Sequence, residues 1–175
     1  MTEISIEKLD ARGLQARLGD LTEILHATVA AGASVNFVHP FSRQQSRTFW
    51  QEKILPSVEA GGRLLWIASL GETLAGTVQL IVEMPPNQRH RCEVSKLLVH
   101  PDCRNRGVAK RLMAALEAEA RRLGKTLVTL DTRTGDTAEP LYRALGYEAA
   151  GVIPGFSRAP DAEQYDSTTY MYKPL

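Results

Sequence analysis

Little in this chain is out of balance. Lysine and arginine number 21 against 20 aspartates and glutamates, so the basic excess typical of nucleic-acid binders is missing. There are two cysteines, Cys92 and Cys103, and neither belongs to a CxxC pair, which excludes a disulfide framework and argues against a zinc site. His26, His39 and His90 show no metal-ligand spacing, so no metal is expected. No apolar run approaches the roughly 18 residues that span a bilayer. The opening Met1-Thr2-Glu3-Ile4 has neither the basic nor the apolar stretch of a secretory leader. No nucleic-acid or membrane partner is expected, and a reducing cytoplasm is the default location. Repeats, low-complexity tracts and linkers are absent, so residues 1–175 read as one domain, long enough to bury a core without staples.

What is present alternates between two periodicities. Leu14, Leu18, Leu21, Leu25 and Val29 recur at helical spacing, after a short strand at Ile4 to Glu7 and a possible cap at Asp10. Ser42 is a plausible N-cap for a second helix reaching about Ala60. Strands follow at Leu64 to Ser69, Thr73 to Glu83 and Arg91 to Val99. Ala109, Leu112, Met113, Leu116, Ala120 and Leu123 form one stripe of a long helix from Gly107, with Lys110, Arg111, Glu117, Arg121 and Arg122 elsewhere on it. A strand at Thr126 to Asp131, a short helix at Ala138 to Leu145, and strands at Tyr147 to Ile153 and Thr168 to Tyr172 complete an α/β pattern with a mixed sheet.

The segment most suggestive of chemistry joins the Arg91–Val99 strand to the long helix. A helix start has free N–H groups and about half a positive charge, which together favour a phosphate or pyrophosphate. Here the turn is Arg104-Asn105-Arg106-Gly107-Val108-Ala109, with Lys110 and Arg111 adding charge and Gly107 and Ala109 allowing close approach. A solvated basic helix start is the alternative. The chain has no GxxxxGK[ST], which excludes a P-loop, and no GxGxxG with an acidic partner, which argues against a dinucleotide site.

Three side chains carry candidate acid–base chemistry. Tyr142 keeps its proton at neutral pH and can donate, or it simply packs in the core. Glu93 is a carboxylate in a mostly apolar strand and must be exposed, paired with Arg91 or Lys96, or functional. Strict alternation would place it on one face with Ser95, Leu97 and Val99. Asp131 ends a strand where open α/β sheets bind ligands, or it caps a turn. His100, before Pro101, ranks below both carboxylates.

Arg-x-x-Gly-x-Ala between an apolar strand and an amphipathic helix resembles the acetyl-CoA turn of the GNAT acetyltransferase superfamily. Glu93-Val94-Ser95-Lys96-Leu97-Leu98-Val99, Thr126 to Asp131, and Ala138 to Tyr147 resemble that family's fourth strand, fifth strand and last helix. The likeness is strong over residues 63 to 153, and Gly135 stands where the family often has an asparagine. It implies a mixed, mostly antiparallel sheet of about seven strands flanked by about four helices. It implies acetyl-CoA as cosubstrate, with the pantetheine arm along Leu97, Leu98 and Val99, the diphosphate at Arg104 to Lys110, and Tyr142 near the thioester sulfur. Glu93 would then act as a base through water.

Gly32-Ala33-Ser34-Val35, Leu64-Leu65-Trp66, Leu130-Asp131-Thr132, and Pro154-Gly155 with Pro160-Asp161 resemble the branch that contains the tabtoxin resistance protein. That resemblance implies Asp131 and Tyr142 as base and acid. It also implies a small amine-bearing acceptor walled by the apolar loop 32–41, with Asn36 and Phe37, and by the long loop 154–166, with Phe156. The expected activity is N-acetylation of a small amine by a monomer or homodimer. A protein or peptide acetyltransferase and a non-catalytic acyl-CoA sensor are the competing readings.

Overall fold

The computed structural model describes residues 3–175. Among them the strands are β1 (Ile4–Leu9), β2 (Arg63–Leu70), β3 (Thr73–Ile81), β4 (Arg91–Val99), β5 (Leu127–Arg133), β6 (Glu148–Arg158) and β7 (Tyr165–Pro174). The helices are α1 (Ala11–Ala16), α2 (Leu18–Ala30), α3 (Arg43–Phe49), α4 (Leu55–Glu59), α5 (Val108–Arg122) and α6 (Ala138–Ala144). The strands form one sheet in the order β1-β2-β3-β4-β5-β7-β6. Every neighbouring pair is antiparallel except β4 and β5, which run parallel. The expected mixed, mostly antiparallel seven-stranded sheet is present. The described helices number six rather than about four, because two expected helices are each interrupted.

The interruptions have local causes. Asp10 caps α1, accepting from Gly13 N at 2.7 Å, and the chain leaves helical geometry at Arg17 before α2 begins. Ser42 and Gln45 form a reciprocal capping box at the start of α3. The helix then widens into a π turn, Trp50–Ile54, in which Leu55 N donates to Trp50 O. Pro56 explains it, because proline has no N–H to give the preceding turn and its ring crowds the carbonyl there.

Two cores lie on opposite faces of the sheet. One, under α5, contains Trp66, Cys92, Val94, Leu112, Met113, Leu116, Val128 and Leu130. The other, under α1–α4, contains Leu14, Leu21, Leu25, Trp50, Leu65, Ile67 and Leu98. The alternation of each strand supplies both, so Trp66 and Ile67 point to different cores. The α5 stripe differs from expectation at two positions. Leu123 is 40% exposed, and Glu117 is buried with its carboxylate 2.7 Å from Lys173 Nζ. A buried carboxylate needs such a partner.

The β6–β7 hairpin also departs from expectation. Much of the segment read as a loop, 154–166, is strand: β6 runs to Arg158 and β7 begins at Tyr165. No helix among the described residues is long and apolar enough to cross a membrane.

Candidate active site

Parallel pairing between β4 and β5 stops after three residue pairs, Arg91↔Leu127, Cys92↔Val128 and Glu93↔Thr129. Beyond them β4 keeps β3 as its partner but has lost β5. The parting opens a cleft of about 940 Å³, reaching from the loop at Gly32–Asn36, across both strands, to the start of α5 and the inner side of α6.

A bulge shapes the β4 wall. Gln79 pairs with Ser95 and Thr77 with Leu98, so Lys96 and Leu97 together oppose Val78. Lys96 has φ 51, a left-handed conformation uncommon outside glycine. The bulge corrects the expected alternation. Cys92 and Val94 point into the α5 core, so Glu93 and Ser95 face the other way, and after the bulge Leu98 shares their side. Glu93 therefore does not share a face with Leu97 and Val99.

The far end of the cleft is the turn before α5. Asn105 (φ 60) and Gly107 (φ 82) are both left-handed, and Gly107 is the N-cap with no side-chain hydrogen bond closing the helix start. The first N–H groups of α5 thus lack a side-chain cap. A Cβ built on Gly107 would meet nothing within 4 Å, so this backbone faces open space. Arg104, Asn105, Arg106 and Lys110 are exposed around it, and none of the three cations makes an ion pair among the described residues. Uncapped donors, unneutralised cations and room beside the backbone fit a diphosphate, and the slot between the strands fits an extended arm.

All three candidate acid–base residues line this cleft. Tyr142, on α6, is 6% exposed, with its ring edge-on to Tyr147 at 5.8 Å. Burial, and then the charge of Asp131, raises its phenol pKa well above the ordinary value, so it stays protonated. Asp131 lies exposed at the mouth, with Oδ2 accepting from Thr168 Oγ1 at 3.0 Å and its other oxygen turned to no described donor. Glu93 pairs with Arg91 at 3.5 Å and has 41% of its side chain exposed. Its neighbour Thr129 accepts from Arg91 Nη1 at 3.3 Å.

Of the positions expected to hold the cofactor, Leu97, Val99, Arg104, Asn105, Gly107, Val108, Ala109, Lys110 and Tyr142 line the cleft, whereas Leu98 and Arg106 do not. Leu98 is 1% exposed because the bulge turns it into the core under α2. Of the positions expected to wall the acceptor, Asn36 and Phe156 line the cleft, whereas Phe37 does not and packs on Phe41 and Phe49, with centroids 4.5 and 5.2 Å away. His39 N donates to Pro160 O at 2.7 Å, tying the 32–41 loop to the β6–β7 connection. His39 Nε2 contacts Val29 O at 2.7 Å and anchors the loop to α2.

Lys96 was not anticipated as a site residue. It lines the cleft, and its ammonium lies 5.8 and 6.0 Å from the ring centres of Phe49 and Phe37. Burial first, then Arg63, lowers its pKa to about 8, against the pull of Asp131. The one sequence signal was a second charged side chain, beside Glu93, in a strand with apolar residues around it. The bulge that aims it has no glycine or proline to announce it.

The sheet thus parts at its one parallel pair and leads to an uncapped helix start. The chain matches the acetyltransferase (GNAT) family model over residues 28–147. It is 29% identical over 145 residues to an uncharacterized N-acetyltransferase from the hisH–hisA intergenic region of Azospirillum brasilense, covering 80% of this chain and 82% of that protein. With N-acetyltransferase 8B of Rattus norvegicus it shares 36% identity over 92 residues, 51% of this chain and 41% of the rat protein, so less than half of that relative is matched. Its fold is similar to ribosomal-protein-alanine N-acetyltransferase from Brucella melitensis, with TM-score 0.79 at 21% identity over 98% of this chain and 99% of that one. It is similar also to a putative acetyltransferase from Salmonella typhimurium solved with its cofactor acetyl-CoA, with TM-score 0.78 at 19% identity over 98% and 94% of the two chains. The chain belongs to the GNAT acetyltransferase family and is an acetyl-CoA-dependent acyltransferase.

Proposed function

We propose that this enzyme acetylates the primary amine of a small molecule, an amino-acid-like metabolite, toxin or antibiotic. The observation that carries the reading is the cleft itself, about 940 Å³ between the Gly32–Asn36 loop, β4 and β5, with a few polar side chains on its walls. The 32–41 loop bordering it is held to the β6–β7 connection through His39 N and Pro160 O at 2.7 Å. A small-molecule site is a concave space with a few convergent polar groups, and Asp131, Glu93 and Asn36 are those groups here.

When bound, acetyl-CoA supplies an activated acetyl thioester, whose transfer to an amine leaves a thiolate and a proton to place. The cofactor's diphosphate would lie at Arg104 to Lys110 and its arm along Leu97 and Val99. Asp131, with Oδ2 3.0 Å from the Thr168 hydroxyl that Thr132 O shares, has its second oxygen available to orient an ammonium and take its proton. Glu93, held near Arg91, would act through a water if it takes part. Tyr142 holds a proton at Oη on the wall facing Asp131 and is the donor.

The pattern at Gly32-Ala33-Ser34-Val35, Leu130-Asp131-Thr132 and Pro160-Asp161 supports placing the chain in the branch that contains the tabtoxin resistance protein. A sheet running from β1 near the start to β7 near the end supports reading 1–175 as one N-acetyltransferase domain. Cys92 and Cys103, both free and buried, are compatible with a reducing cytoplasm.

The test is thiol release from acetyl-CoA over a panel of amino acids, polyamines, antibiotics and peptides, with products confirmed by mass. Small amines should turn over faster than any peptide. Faster acetylation of peptide N-termini or lysines would overturn the reading.

A further inference from the structure

We infer that Lys96 is the anion-recognition residue of the acceptor pocket, so that the acceptor carries a carboxylate or similar oxyanion besides its amine. This rests on the small-molecule reading above and narrows it to zwitterionic amines.

The argument begins with the backbone. A lysine in left-handed geometry at a bulge is held there against its own preference, and such positions persist where the surroundings determine them. The effect is to turn a cation inward between Phe37 and Phe49 and toward the cleft. There its ammonium makes no ion pair or hydrogen bond among the described residues. Two other partly buried cations are paired with carboxylates: Lys173 has Glu117 at 2.7 Å and Arg133 has Asp136 at 3.0 Å. A second cation, Arg63, stands near enough to repel Lys96, and Arg63 is itself hydrogen-bonded to Gln79.

Packing alone does not account for this side chain. Distances near 6 Å from two ring centres lie at the outer edge of cation–π attraction. A methionine would fill the same space against Phe37 and Phe49 without a desolvated charge. A half-buried ammonium beside a second cation, drawn by Asp131 but with no carboxylate within ion-pair distance among the described residues, is a place where a ligand's anion can be held. The pocket also holds the complementary sign at a separate point, Asp131 on β5 with one oxygen open. A cation on β4 and an anion on β5, facing one cleft, match the two ends of an α-amino acid or a close analogue. The charged groups that act on Lys96 are Arg63 on β2 and Asp131 on β5, and Glu93 on β4 acts in turn on Arg63.

The test uses matched acceptors: amino acids, their amides and the corresponding decarboxylated amines, in the thiol-release assay at fixed acetyl-CoA. The wild-type protein should prefer the acid by about tenfold to a hundredfold in kcat/KM, carried by KM, as expected for a charged hydrogen bond in a partly dry site. Lys96→Met, which keeps the packing, should bring the ratio near one, and Lys96→Arg should restore part of it. Should Lys96→Met fold poorly in a thermal melt, the wild-type ratio and Lys96→Arg still decide. Equal use of acids and decarboxylated amines by the wild type, or a preference surviving in folded Lys96→Met, overturns the inference while leaving the small-amine reading intact. Turnover with peptides and with no small amine overturns both.

Discussion

Tyr142→Phe separates an acid from a packing residue. The substitution removes one oxygen and keeps the ring, which is buried at 6% exposure and edge-on to Tyr147 at 5.8 Å. The hydroxyl makes no hydrogen bond among the described residues, so its loss leaves no protein group unsatisfied, and stability should change by less than about 1 kcal/mol. A positioned acid contributes about 10²- to 10⁴-fold, and a water entering the gap can replace part of that, so kcat should fall by at least about tenfold. Burial and the charge of Asp131 hold the phenol above its ordinary pKa, so this loss should be flat across neutral and mildly alkaline pH. The assay is steady-state thiol release at saturating substrates, with a viscosity control to show that chemistry limits the rate, beside calorimetry with acetyl-CoA. Cofactor affinity should stay within about twofold, since an acid acts mainly in the transition state. Equal kcat in both proteins would return Tyr142 to a core-packing role.

Three further outcomes follow from named contacts. Asp131→Asn should reduce acceptor kcat/KM more than Glu93→Gln and should raise the acceptor KM, read from pH profiles of both variants; a lost basic limb in Glu93→Gln alone would reverse the assignment. A Cβ at Gly76 would lie 2.7 Å from Val108 Cγ1 and 3.0 Å from Leu98 O, so Gly76→Ala should press α5 off the sheet. The cost should be about 1–3 kcal/mol, seen as a lower denaturant midpoint at unchanged slope; an unchanged midpoint would show that α5 moves freely. Glu119 is held down to about 2 by hydrogen bonds from Arg122 and Lys8, a link between α5 and β1. A carboxylate depressed in the fold stabilises above its unfolded pKa and loses that as pH falls toward its folded one. The stability gap between wild type and Glu119→Gln should therefore be full at neutral pH and close between about pH 4.5 and 2 in acid-titrated melts; a constant gap would contradict it.

The elements were legible where one periodicity ran unbroken. The Arg91–Val99 strand was read with its observed bounds, and α5 to within a residue of Gly107. The caps at Asp10 and Ser42 were legible because their partners lie three residues away. What escaped depends on partners distant in sequence. Glu117 looked like a solvent-facing residue until β7 brought Lys173 against it. The 154–158 segment looked like a loop because Pro154 and Gly155 fall where pairing with β7 is interrupted, and only Ser157 and Arg158 take it up again. Within the candidate site, the strand-to-helix turn announces itself in arginines and a glycine, and so do the carboxylates by standing in apolar strands. The bulge at Lys96 is set by the register of β4 against β3, which no local pattern records.

The most direct test of the site is calorimetric titration of acetyl-CoA into wild-type protein and Gly107→Glu, with circular dichroism confirming that both are folded. Gly107 faces open space at the uncapped start of α5, so a glutamate there puts bulk and negative charge where the diphosphate should lie. Loss of two or more charge-assisted hydrogen bonds predicts affinity weakened by at least about a hundredfold. Unchanged affinity in the folded variant would contradict a cofactor site at residues 104–110.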